Sequence, residues 1–513
     1  MNPQNTRKIG YLVAILVLML GMYFLGFPET RSADDPKVRY PGGWLAQVRS
    51  EHGLSEEHLG EASAGAETMR LATLGLRGVA AQILWEKANN YKMKKDWTNF
   101  SATLEQLAKV EPHFVNVWRF QAWNLSYNVS VEFDDYRERY RWVIRGIEFL
   151  KEGIQYNQHE PALVSDTGWF IANKIGTADE SVLFRKLFRQ DPDFHKDGAV
   201  DEERDNWLVG KRWHIMAEGM VDRGDDIKKV TPVLFYSRAP MCQMNYADAL
   251  EKDGQFGDKA RSAFAKASED WVNFGDRPMK EGELDPETGL PKTIHLNDPI
   301  RLRAEAADLL KQLDALAPTK RKEILAARRQ QLSQSERDAL DTPPEKRNEK
   351  QVEAAAGAER RLEIDPEQLA RELPSAQQTE GLRLARGAKA LEEEARTIDR
   401  SKQVVNFDYW DRHAKVEQAT DALEARRAIY EGEQAAKKAD LKVARKRYED
   451  GIALWRKVLD ANPGLDREGG YTRDLVDVIK AYRKVLERSD VPFDDKNFPL
   501  ADFWKKFSAQ YPD

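Results

Sequence analysis

Between Ile9 and Phe27 the chain runs 19 residues without a charge. As a helix rising about 1.5 Å per residue, that run covers about 28 Å, close to the hydrocarbon thickness of a bilayer. A cleaved secretory signal has a shorter apolar core and a small-x-small site behind it. Residues Pro28 to Ala33 offer no such site, so the run reads as an uncleaved anchor. Arg7 and Lys8 precede it with no acid, whereas Glu29, Asp34 and Asp35 dilute the bases that follow. By the positive-inside rule, the N-terminus stays in the cytoplasm and the body lies outside it. The expected location is a cell inner membrane, crossed once, with a periplasmic or extracytoplasmic body.

Behind the anchor (1–28), residues 29–66 mix Pro, Gly, Ser and charge and read as a linker. From 67 onward the periodicity is helical almost throughout, and short apolar stretches such as Val233–Tyr236 are too brief to argue a sheet, so the class is all-α. A helical domain over 67–270 is followed by a proline- and glycine-rich loop, 271–300, and a C-terminal helical domain covers 401–513. The segment between, 301–400, has no aromatic residue and is dense in Ala, Glu, Arg and Leu. Leu302, Ala306, Leu309, Leu313 and Leu316 form one heptad-like seam, and Leu384, Ala388, Leu391, Ala395 and Ile398 form another. The two could pair as an antiparallel arm, drive self-association, or stand as solvated single helices. A formal charge of -6 removes the global basic surface that nucleic acid needs, and a single cysteine, Cys242, excludes an internal disulfide and a Cys-based metal site.

Fixed spacings recur between 78 and 194. Gly168 is followed by Ile171, Phe184, Leu187 and Pro192, and Ala88, Tyr91, Leu104, Leu107 and Pro112 keep the same offsets. A third copy lies between them: Trp118, Ala122 and Leu125, then Gly146, Leu150 and Gly153, with Gln158 where the proline would stand. This copy is twelve residues longer, and Val129–Tyr140 fits as an insertion between its helices, a solvated turn extension. In such a pattern the small residue lets two helices approach, the large ones fill the groove, and proline ends the second helix. It resembles the tetratricopeptide repeat, a helical hairpin of about 34 residues. Phe100 and Glu180 depart from it, standing where that family prefers Ala. Partial copies occur at Ala260, Phe264 and Ala267 and at Gly451, Trp455, Val458 and Pro463. An irregular α-bundle is the alternative.

Repeats of this family have no chemistry of their own and present first-helix side chains on a concave, peptide-binding face. The resemblance places Trp85, Asn89 and Lys92, then Arg119, Trp123 and Tyr127, then Ser165, Trp169 and Asn173 on that face. Tryptophan and arginine anchor binding segments and asparagine can satisfy their backbone groups. The same tryptophans could equally be core. The family's carboxylate clamp is not reproduced, since only Asn89 matches it and Phe120 stands where a second Asn is needed. The eight histidines are scattered, and no nucleophile, phosphate-loop or metal motif occurs. The expectation is a membrane-anchored scaffold or adaptor without cofactor or enzymatic activity that binds a protein or extended peptide segment. The alternative is an envelope enzyme or small-ligand binder with its pocket between the repeats and the Trp-rich stretch 205–275.

Overall fold

The computed structural model describes residues 77–511, apart from 196–198, 228–229, 285–288, 290 and 317, together with scattered residues between 13 and 47. Within these the fold is all-helical except for two short antiparallel strand pairs. The chain divides into two compact units: one takes residues up to 231, 235–267 and 417–513, the other 232–234 and 268–416. The C-terminal helices, set apart from 401 in the sequence reading, thus fall for the most part in the unit that holds the hairpins. Among the described residues no helix is long and apolar enough to cross a membrane. Of the anchor expected at 9–27 about half the residues are described, 13–18 as helix, and the linker at 29–66 lies largely outside the described residues.

In the first unit, helices come as three consecutive pairs: α1 (Arg77–Met93) and α2 (Trp97–Val110), α3 (Val115–Trp123) and α4 (Tyr136–Tyr156), α5 (Pro161–Trp169) and α6 (Ser181–Gln190). Local chemistry sets their starts. Asp96 accepts the Asn99 N–H at 3.2 Å, Asp135 accepts the Arg137 N–H at 2.7 Å, and Pro161 occupies the first turn of α5. Immediately after Trp123 and Trp169, α3 and α5 both continue as π-helix, over Asn124–Val129 and Phe170–Lys174. The insertion expected at Val129–Tyr140 is therefore no long loop. The continuation of α3 reaches Glu132 and α4 starts at Tyr136, leaving three residues between them. Arg139 ties this corner by donating to the Phe133 carbonyl and pairing with Glu180. Two further helices, α7 (Asn206–Asp222) and α8 (Arg238–Lys252), follow, and Asp205 caps α7 through the Trp207 N–H at 2.9 Å.

The second unit corrects the expected loop at 271–300. Helix α9 (Asp258–Asp276) runs into it, and Met279–Leu284 then pairs antiparallel with Pro291–Ile294, Met279 opposite Ile294. Met279, Ile294 and Leu296 are buried, which explains the order in a stretch whose prolines and glycines read as irregular. Beyond it, α10 (Asp298–Leu316) lies antiparallel to α11 (Ser375–Val404), with Arg303 pairing with Asp399 and Gly387 meeting Leu309. Leu313, Leu369, Leu373 and Leu384 close a small core without aromatic residues, so the leucine seam is filled within the chain.

The C-terminal part of the first unit forms another hairpin, α12 (Thr420–Lys437) and α13 (Leu441–Ala461), followed by α14 (Gly469–Arg488). Here and in the pair α3 and α4 a glycine brings one helix close to the backbone of the other. A Cβ at Gly146 would stand 2.7 Å from the Ala122 carbonyl oxygen, and one at Gly451 would stand 3.1 Å from that of Ala425. Gly153 faces the fully buried Trp118, whose indole donates to the Pro112 carbonyl at 2.8 Å. Gly168 departs from the sequence reading: a Cβ there would stand 2.8 Å from the Gly210 carbonyl oxygen of α7, so it admits a helix beyond its own pair.

Glycine-to-alanine substitution in a helix ordinarily stabilises by about 0.5–1 kcal/mol. Gly146→Ala should instead destabilise by about 1–3 kcal/mol, because the carbonyl it meets cannot rotate away. Gly219→Ala, where the nearest atom is a flexible Arg223 nitrogen at 3.5 Å, should keep the ordinary sign. Thermal unfolding followed by circular dichroism decides between the two signs.

A buried ionic group lies deeper in the same unit. Arg426 grips Glu417 at 2.7 and 3.3 Å, reaches Asp474 at 3.4 Å and lies 4.8 Å over the Trp455 ring. Burial first, and then the neighbouring Glu417 charge, push the Glu251 carboxyl well above the carboxylate range, with Arg426 opposing. The folded protein then holds a proton that the unfolded chain releases as pH rises past the ordinary carboxylate range. Raising pH from 5 to 8 should lower the melting temperature, and Glu251→Gln should flatten that slope.

Candidate functional site

Helices α1, α3 and α5 carry the residues that the repeat spacing points to. Trp85 on α1 lies 5.9 Å from Phe120 on α3, ring centre to ring centre. One turn on, Trp123 stacks on Tyr127 at 5.9 Å, and Tyr127 meets Phe170, in the continuation of α5, edge-on at 5.6 Å. Burial raises the Tyr127 pKa, with the neighbouring Trp169 side chain opposing it. Trp85, Phe120, Trp123 and Trp169 keep 36, 46, 45 and 42% of their surface exposed. The result is an aromatic strip that crosses three helices.

The polar members of the predicted set divide. Asn89 is exposed and Asn173 half-buried. Lys92 donates to the Asn124 side-chain oxygen at 3.4 Å, which also accepts from Asn128 at 2.7 Å. Arg119 donates through Nε to Asp166, an acid the sequence reading did not single out. Ser165 is 1% exposed and lines no open surface. Its Oγ accepts from Arg238 at 2.8 Å and lies 3.0 Å from Nδ1 of His214. Burial, reinforced by the Arg238 charge, pushes the His214 pKa down to about 3, so the ring is neutral. A hydroxyl beside a neutral imidazole is the pairing of an activated nucleophile. Here both groups are sealed from solvent and the oxygen is engaged by an arginine, so the pair positions Arg238. Cys242 is likewise buried, its thiol pushed up to about 12 by burial.

Arg238 completes the site. It lies 5.7 Å from the Trp169 ring and 3.8 Å from Asp166. Lys174 sits 4.5 Å over Tyr127, and burial lowers its pKa. Of the residues that sequence reasoning missed, Phe120 had a signal, since Phe120, Trp123 and Tyr127 recur at helical spacing. Arg238 had none, because it arrives from a helix far along the chain. The sequence matches no protein-family model and no curated protein.

Removing Trp118, which is fully buried, should cost about 3–5 kcal/mol. Removing the half-exposed rings by Trp123→Ala or Trp169→Ala should cost about 1 kcal/mol each. Denaturant titrations of the three variants would separate core tryptophans from surface ones.

Proposed function

We propose that this chain is a helical-repeat adaptor, tethered to a membrane through residues 9–27, that holds an extended segment of a partner protein across α1, α3 and α5. The aromatic strip carries the reading. Four large rings left more than a third exposed form one band, and a contiguous apolar band of this kind marks an interaction surface. Tryptophan and arginine are also the residue types that dominate binding energy. An extended segment suits the band because it runs across helices, and the Asn89 and Asn173 amides can meet a backbone along it. The tetratricopeptide-like spacing supports the same use, as do the π-helical turns directly behind Trp123 and Trp169, since such turns concentrate at functional sites.

For the tether, support comes from the uncharged run itself and from its described residues. Ile15, Leu16, Val17 and Leu18 are helical and more than half exposed, surface that a bilayer would cover. The charges at Arg7 and Lys8 favour an extracytoplasmic body.

Cross-linking the full-length protein in its native membrane tests the adaptor. A defined partner should appear with the wild type and vanish with Trp123→Ala plus Trp169→Ala, melting being nearly unchanged. If the wild type captures none, the reading gives way to a ligand-binding one. A C-terminal phosphatase fusion, active only outside the cytoplasm, should be active; an inactive fusion of full length would invert the span.

A further inference from the structure

We infer that the segment held in this groove carries a carboxylate, which docks on Arg119 and Arg238 while an adjoining apolar side chain lies against Trp123 and Trp169. The inference rests on the adaptor reading and adds the chemistry of the partner. Arg119 and Arg238 come from α3 and α8 and converge on one acid. Asp166 takes Nε of Arg119 on one oxygen and faces Nη1 of Arg238 at 3.8 Å on the other. One carboxylate therefore serves two guanidinium groups. Nη1 of Arg238 is also spent on Ser165, but both terminal nitrogens of Arg119 are unused among the described residues, on a side chain 38% exposed.

Two more cations stand on the same face. Lys174 lies over Tyr127 and Lys92 bonds an amide oxygen, and among the described residues neither has a carboxylate within 4 Å. Arg119, Arg238, Lys174 and Lys92 stand against Asp166 and against Glu180 and Asp179, whose charges act on Lys174 from beyond ion-pair distance, a local excess of cations in a chain whose formal charge is -6. Such an excess draws acidic segments in and disfavours basic ones. The guanidinium fork matches a carboxylate through two parallel bonds. The rings beside it supply the dry surroundings in which such a pair strengthens. Ser165 and His214, buried behind Arg238, hold that arginine in place without titrating near neutral pH.

Selection from a random dodecapeptide library on phage, using the full-length protein in nanodiscs, tests this. Peptides recovered by the wild type should be enriched in Asp or Glu next to Trp, Phe or Leu. A synthetic peptide of that set should bind about tenfold more weakly to Arg119→Gln and about threefold more weakly to Arg119→Lys, which keeps the charge without the fork. Asp166→Asn, which removes the internal competitor, should bind it several-fold more tightly. Recovery of peptides without acidic enrichment, with Arg119→Gln binding as the wild type does, would overturn the inference. If the Trp123→Ala plus Trp169→Ala variant then loses those peptides, the groove itself survives. Should wild type and double variant recover the same background, the adaptor reading falls and takes the inference with it.

Discussion

Close approach of helices at glycine organises the hairpin unit. Where Gly146 faces the Ala122 carbonyl and Gly451 that of Ala425, a Cβ would crowd the facing backbone, at 2.7 Å for Gly146 and 3.1 Å for Gly451. The large residues on either side then interlock, as Trp118 does with Gly153, Phe149 and Tyr156. Gly168 and Gly210 make the same contact between α5 and α7, which are not partners in one pair. That contact holds α5 from behind, leaving Trp169 at the surface and Ser165 in the interior. The exposed strip and its buried support are thus two sides of one packing decision.

The same contacts explain what could be read beforehand. Small and large residues at fixed offsets are a record of packing, so Ala88, Leu104, Trp118, Leu125, Gly146, Ile171 and Phe184 were all legible as interior, and all are buried. What the spacing could not say is which helix a small residue admits. Gly168 fits a helix of its own pair or of the next, and the offset is the same for both. Backbone detail was also silent: of the turn extension expected at Val129–Tyr140, Ser130–Glu132 prolongs the first helix and Tyr136–Tyr140 opens α4, so only three residues are left for the turn. Between 271 and 300 the strand pair escaped because its few buried residues lie among prolines and glycines, where alternation is too short to register.

The candidate site was half legible, and the division follows the range of the interactions. Trp85, Arg119, Trp123, Tyr127 and Trp169 sit on first helices, so local periodicity puts them on one face. Ser165 obeys the same periodicity and still turns inward, because Arg238 and His214 claim its hydroxyl from remote helices. Asp166 was passed over since an acid beside a buried serine has no pattern of its own. Its meaning comes from the two arginines that meet it. Charge in a site of this kind is a property of the assembled fold and leaves no mark at any single position.

On the proposed reading, tether and groove also complement each other energetically. A groove with a few half-exposed rings and partly spent arginines buries less than an obligate interface and would bind a short segment weakly in free solution. Confining the groove to a membrane that also holds its partner turns the encounter into one at high effective concentration, with no new contact required. Half-exposed rings are then an advantage. They cost the fold little when empty, release a segment readily, and leave selectivity to the charge pattern around them. A buried, tightly fitting pocket would gain affinity that a tethered adaptor does not need and would lose the exchange of partners on which an adaptor depends.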